Sequence, residues 1–227
     1  MFFSVRSTTG SRGRRSAPLW AGALLVSAGL TLSVAPAGHT VPRTAAQGCT
    51  ITGTPGDDDL VGTTGDDVIC GLGGNDRISS RPGNDTVYAG EGDDNVSTSF
   101  GNDVIYADEG NDTVSTSTGN DTIHGGGGND KINGSIDNDT LHGEAGNDSV
   151  NGGNDNDTLV GGDGNDVLSG SNGDDSIDGG SGADELRGSN GNDILNAVDG
   201  LANDFVDGSN NTDTCSADPG DVLRSCP

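Results

Sequence analysis

One aliphatic residue in every nine carries the regular apolar signal of this chain. Leu60, Ile69, Ile78, Val87, Val96, Ile105, Val114, Ile123, Ile132, Leu141, Val150, Leu159, Leu168, Ile177, Leu186 and Leu195 follow one another without a slip, each between two mostly polar neighbours. A single apolar side chain between two outward-facing ones predicts a three-residue strand with one face buried. The other six residues of each copy must turn the chain, and they are rich in glycine, which adopts positive φ freely. The clearest copies are residues 125–133, 161–169 and 179–187. Self-similarity at a fixed short period marks a solenoid.

The variable positions set the size of the coil. Tyr88, Tyr106, His124 and His142 recur at steps of 18, interleaved with Ser79, Ser97, Ser115, Asn133 and Asn151. Two nine-residue copies therefore make one coil, and two parallel sheets face each other across a thin core. The frame begins in degraded form at Gln47, with Ile51 in the aliphatic slot and Cys49 where later copies have Asp. Near Gly200 a two-residue insertion shifts it, and it resumes with Asp204 and Val206, then with Asp213 and Cys215.

Composition sharpens this picture. Among 227 residues, 29% are hydrophobic, 3% are aromatic and 41 are glycine, too little apolar material for an ordinary globular core. One buried aliphatic side chain per nine ordered residues does not offset the entropy of ordering them, so the chain without a ligand is expected to be largely unfolded. The formal charge of −26 excludes nucleic acid as a natural partner and points to cations.

The acids are not scattered. Asp58, Asp67, Asp76, Asp85, Asp94, Asp103, Asp112, Asp121, Asp130, Asp139, Asp148, Asp157, Asp166, Asp175, Asp184 and Asp193 each stand two residues before the aliphatic position. In an 18-residue coil they form two columns, Asp76, Asp94 and Asp112 on one edge and Asp85, Asp103 and Asp121 on the other, with rungs about 4.8 Å apart. Carboxylates so close must protonate, separate or share a cation. Calcium takes six to eight oxygens from carboxylates and carbonyls, and Gly-rich turns expose carbonyls; zinc would want His or Cys, and magnesium a tighter octahedron. At most about one calcium ion per adjacent Asp pair is expected. The alternative is a metal-free solenoid in which Gly-Asn-Asp is turn chemistry alone, but turn propensity does not require Asp at one fixed place in every copy.

Residues 1–37 lie outside the repeat. Arg6, Arg12, Arg14 and Arg15 precede an apolar run from Leu19 to Val34 and a small-x-small Ala35-Pro36-Ala37, which reads as a secretory signal peptide. Its removal leaves a chain of formal charge −30 with no stable membrane anchor. Residues 38–47 read as a linker, 48–199 as the repeat domain, and 200–227 as degenerate repeats and a C-terminal cap. Four cysteines in a secreted chain suggest two disulfides. Cys49 with Cys70 would staple the first coil and Cys215 with Cys226 the last, whereas the other pairing would join opposite ends of a rod.

The nonapeptide resembles the RTX, or hemolysin-type, calcium-binding repeat over about 160 residues. The resemblance implies an all-β parallel β-roll with calcium between successive turns, held by Asp carboxylates and turn carbonyls. Carried over by position, Gly125 and Gly127, Gly161 and Asp163, and Gly179 and Ser181 belong to the strongest turns. Ser80, Thr98 and Thr116 replace the leading glycine before Asp85, Asp103 and Asp121, and Asp137 and Asp155 replace a later glycine. No Ser/His/Asp or HExxH arrangement is present, and no enzymatic activity is expected. The expected role is a secreted, calcium-dependent structural or adhesive module with a cell-surface, matrix or glycan partner. An ice- or surface-binding solenoid and a toxin- or hydrolase-associated protein are the alternatives. Tyr88, Tyr106, His124 and His142 read as an exposed ladder, alternatively as a flat glycan platform.

Overall fold

From Leu60 to Val206 each aliphatic position is the second residue of a strand and points into a single core, and these side chains are 0–9% exposed. The computed structural model describes residues 48–201 and 203–226; the expected signal peptide (1–37) and linker (38–47) lie outside them. Among the described residues there is no helix, hence none long and apolar enough to cross a membrane.

Consecutive strands alternate between two parallel ten-stranded sheets. The first sheet runs from Ile51–Thr52 to Thr214–Ala217 and the second from Asp59–Val61 to Val222–Arg224. Every strand pairs with the one a full coil away, so Ile105 lies opposite Ile123 and Ile123 opposite Leu141. The fold is the β-roll with 18-residue coils that the alternation of variable positions predicts. The insertion near Gly200 is absorbed between strands, because Glu185 pairs with Phe205 and Leu186 with Val206, twenty residues on. The sheets continue past it, and Cys49–Cys70 and Cys215–Cys226 are bonded at the two ends.

Strand length differs from expectation. Most strands have six residues rather than three, as in Lys131–Ile136 and Ser149–Asn154. The chain bends at a left-handed residue, Ser135 (φ 85°) or Gly153 (φ 121°), and the ladder to the next coil resumes beyond it. Besides the terminal Val222–Arg224, four strands of the second sheet keep three residues: Asp59–Val61, Arg77–Ser79, Asn95–Ser97 and Thr113–Ser115. The last three run into Ser80, Thr98 and Thr116, where a side chain stands in place of the leading glycine.

Candidate metal columns

The repeated Asp falls just before each strand, where the turn re-enters the sheet, and the 18-residue register stacks these residues into two columns. One contains Asp58, Asp76, Asp94, Asp112, Asp130, Asp148, Asp166 and Asp184; the other contains Asp67, Asp85, Asp103, Asp121, Asp139, Asp157, Asp175 and Asp193. Within each column the Asp N–H donates to Oδ1 of the Asp one coil further on, as from Asp112 to Asp130 and from Asp130 to Asp148, both at 2.8 Å. The opposite oxygen is the informative one. Oδ2 of Asp76, Asp85, Asp94, Asp103, Asp112, Asp121, Asp130, Asp139, Asp148, Asp157, Asp166, Asp175, Asp193 and Asp213 is buried without a hydrogen-bond partner. Buried acceptors are almost always satisfied, so fourteen orphans in register are a property of the repeat and not a local accident.

Asp58 and Asp67 stand apart from the others. Their Oδ2 atoms accept main-chain N–H and hydroxyl bonds from Thr54 and Thr63, so the first coil satisfies itself. These bonds hold the Asp67 carboxyl below its usual range. Further along, burial pushes the carboxyls up, against the pull of the N–H bond each accepts and with help from neighbouring acids. Asp112 rises to about 8, Asp94, Asp130, Asp139, Asp157 and Asp166 to about 7, and Asp103 and Asp175 to about 6. For Asp103 the nearby Thr98 hydroxyl opposes the rise, though Thr98 Oγ1 itself lacks hydrogen-bond geometry to any partner.

The leading glycine of each turn explains what the orphan oxygens face. A Cβ on Gly125 would lie 2.5 Å from Asp130 Oδ2 and 2.7 Å from the Gly143 carbonyl oxygen. Gly161 is placed in the same way between Asp166 Oδ2 and the Gly179 carbonyl, as Gly143 is between Asp148 and Gly161. A carboxylate oxygen and a main-chain carbonyl from adjacent coils thus converge where glycine leaves room. Oxygen donors of these two kinds suit a hard cation such as calcium. The carbonyls of Gly127, Asp163 and Ser181 accept N–H bonds from Gly110, Gly146 and Gly164 one coil back. Among the described residues no three His, Cys, Asp or Glu side chains gather as a ready metal cluster, so a cation here would need main-chain oxygens as well.

Several features escape a reading of the repeat alone. Ala89 and Ala107, both fully buried, put a Cβ at the leading position before Asp94 and Asp112, as Ser80, Thr98 and Thr116 do on the other edge. By contrast, Asp204 and Asp213, where the sequence resumes the frame beyond the insertion, join the columns as that frame predicts, accepting from Asp184 and Asp193. The Asn preceding most of the column residues forms its own ladder, Asn129 N–H to Asn111 Oδ1 and Asn147 N–H to Asn129 Oδ1, pointing the opposite way along the roll. The Tyr88, Tyr106, His124 and His142 rings are half-buried rather than exposed, because they stack on one another at 4.9–5.1 Å. Within the ladder neighbouring ring faces cover one another.

The family described as RTX calcium-binding nonapeptide repeat (4 copies) matches the chain in eight overlapping stretches that together span residues 52–195. No curated protein matches it.

Proposed function

Because the chain belongs to the RTX calcium-binding nonapeptide-repeat family, we propose that it is a secreted structural or adhesive module that folds where calcium is abundant. The observation that carries this reading is the register of buried, unpartnered Asp Oδ2 atoms along both edges. Calcium bound between coils would neutralise the columns and supply the partner those oxygens lack. The residues to hold it are the column aspartates from Asp76 to Asp193, with main-chain carbonyls of the turns that begin at Gly125, Gly161 and Gly179. Without it, like charges one coil apart oppose the thin core. Two disulfides at the ends of the roll accord with an oxidising, extracellular setting.

Calorimetric titration of the chain with calcium chloride tests the reading. Saturable binding of several ions per chain, accompanied by a gain of β-structure, is expected. Heats no larger than those of dilution would refute it.

A further inference from the structure

Calcium between successive turns is what the repeat implies throughout, but the first coil does not fit it. Its column residues are Asp58 and Asp67, and the turns that lead to them read Gly53-Thr54-Pro55-Gly56 and Gly62-Thr63-Thr64-Gly65. The leading place is glycine in both, as in the later turns. A Cβ on Gly53 would lie 2.7 Å from Asp58 Oδ2 and 2.6 Å from the Gly71 carbonyl oxygen, so the room beside this carboxylate matches that at Gly125. What differs is the next residue. The Thr54 N–H donates to Asp58 Oδ2 at 2.5 Å and its hydroxyl at 3.0 Å, and Thr63 does the same to Asp67 Oδ2 at 2.6 and 2.9 Å. On Asp67 the other oxygen is taken too, by the Thr50 hydroxyl at 3.2 Å.

Backbone conformation accounts for the difference. Four places before a column Asp, the chain is left-handed at Gly126, Ser135, Gly162, Ser171 and Ser189, and Oδ2 of Asp130, Asp139, Asp166, Asp175 and Asp193 is unpartnered. Thr54 and Thr63 are not left-handed. A branched Cβ keeps threonine out of that region more strongly than serine, and Pro55 restricts Thr54 further. Ser99 and Ser117 also lie outside it, but they follow Thr98 and Thr116 instead of glycine, and Oδ2 of Asp103 and Asp121 stays unpartnered. The pair Gly-Thr is thus what closes the carboxylate, and the chain holds it at 53–54 and 62–63 and nowhere else.

We propose that Thr54 and Thr63 take the place of calcium in the first coil, so that Asp58 and Asp67 bind no ion. The inference rests on the reading of the columns from Asp76 onward as calcium sites. An N–H and a hydroxyl proton directed at Oδ2 put partial positive charge where the cation would sit. A calcium ion would have to break both bonds and move the threonine into a conformation it disfavours. The roll therefore has an end coil whose carboxylates need no cation.

Calcium retained by the full chain, counted by atomic emission after dialysis against the lowest calcium that saturates the wild type, decides it. Asp58→Asn/Asp67→Asn keeps an oxygen that accepts from each threonine and is expected to bind as many ions as the wild type. Asp148→Asn/Asp166→Asn, in the open turns, is expected to lose about two ions. Thr54→Gly/Thr63→Gly restores the motif residue and frees both Oδ2 atoms. It is expected to gain about two ions, with an unchanged β-signal in circular dichroism. A loss of ions from Asp58→Asn/Asp67→Asn, or no gain in the glycine variant, overturns the proposal while the wild type still binds calcium. A wild type that binds none refutes the calcium reading itself.

Discussion

Residues 80–121 and residues 125–193 follow the same nine-residue frame but differ at the first place of every turn. In the later region that place is always glycine, from Gly125 to Gly188. In the earlier one it is Ser80, Ala89, Thr98, Ala107 and Thr116. The column aspartates remain buried in both, and the Oδ2 atoms of Asp85, Asp103 and Asp121 are as unpartnered as those of Asp130, Asp148 and Asp166. What changes is the space beside them. Glycine leaves open the point where the carboxylate and the next coil's carbonyl converge, and a side chain closes it. On the second sheet the strands that run into Ser80, Thr98 and Thr116 have three residues, and those that run through Gly134 and Gly152 have six. Burial of the aspartates is thus a property of the fold, whereas the room beside them is set by the leading residue.

The comparison can be broken most sharply by making the later region resemble the earlier one. Gly161→Val would force a branched side chain against Asp166 Oδ2 and the Gly179 carbonyl, and overpacking of this kind costs about 1–3 kcal/mol. The calcium needed for half-maximal folding is expected to rise at least several-fold, with little change in residual structure under chelation. A titration followed by circular dichroism that overlays on wild type would show that the leading glycine is not what gives access.

A smaller effect separates the aspartates themselves. Asp130→Ala removes a carboxylate beside an open glycine and is expected to raise the calcium midpoint about tenfold. Asp103→Ala, beside Thr98, is expected to raise it less. Equal shifts in the two variants would erase the distinction between the regions.

Acid offers a subtler test. In the metal-free roll burial raises the carboxyls of Asp94, Asp112, Asp130, Asp139, Asp157 and Asp166 from 3.8 to about 7 or 8. A group whose folded pKa is raised binds its proton more tightly when folded. Its stabilisation is therefore complete below the unfolded value and is lost as pH rises through the folded one. With chelator present, β-structure is expected to increase as pH falls from 8 to 5, since a proton partly replaces the cation. A chelated chain that is most ordered at pH 8 would contradict the burial of these columns.

Much of this architecture is legible in the sequence because its signals are local and strictly periodic. The spacing of Leu60, Ile69 and Ile78 sets the strands, and the recurrence of Tyr88, Tyr106, His124 and His142 sets the coil. The pairing of Cys49 with Cys70 and of Cys215 with Cys226 follows from a rod with two ends. What the sequence hides depends on contacts between coils. Nothing in the nonapeptide says that Asp Oδ1 is taken by a neighbouring N–H while Oδ2 is left alone. Nor does it say that Thr54 and Thr63 reach Asp58 and Asp67, or that four aromatic rings stack on one another. Strand length is hidden for the same reason, because a left-handed Ser135 looks like a strand end until the next coil pairs beyond it.

Circular dichroism of residues 38–227, first with chelator at neutral pH and then with millimolar calcium, tests the central claim most directly. The account predicts a largely disordered spectrum that becomes β-rich when calcium is added. A spectrum equally β-rich in both conditions would contradict it.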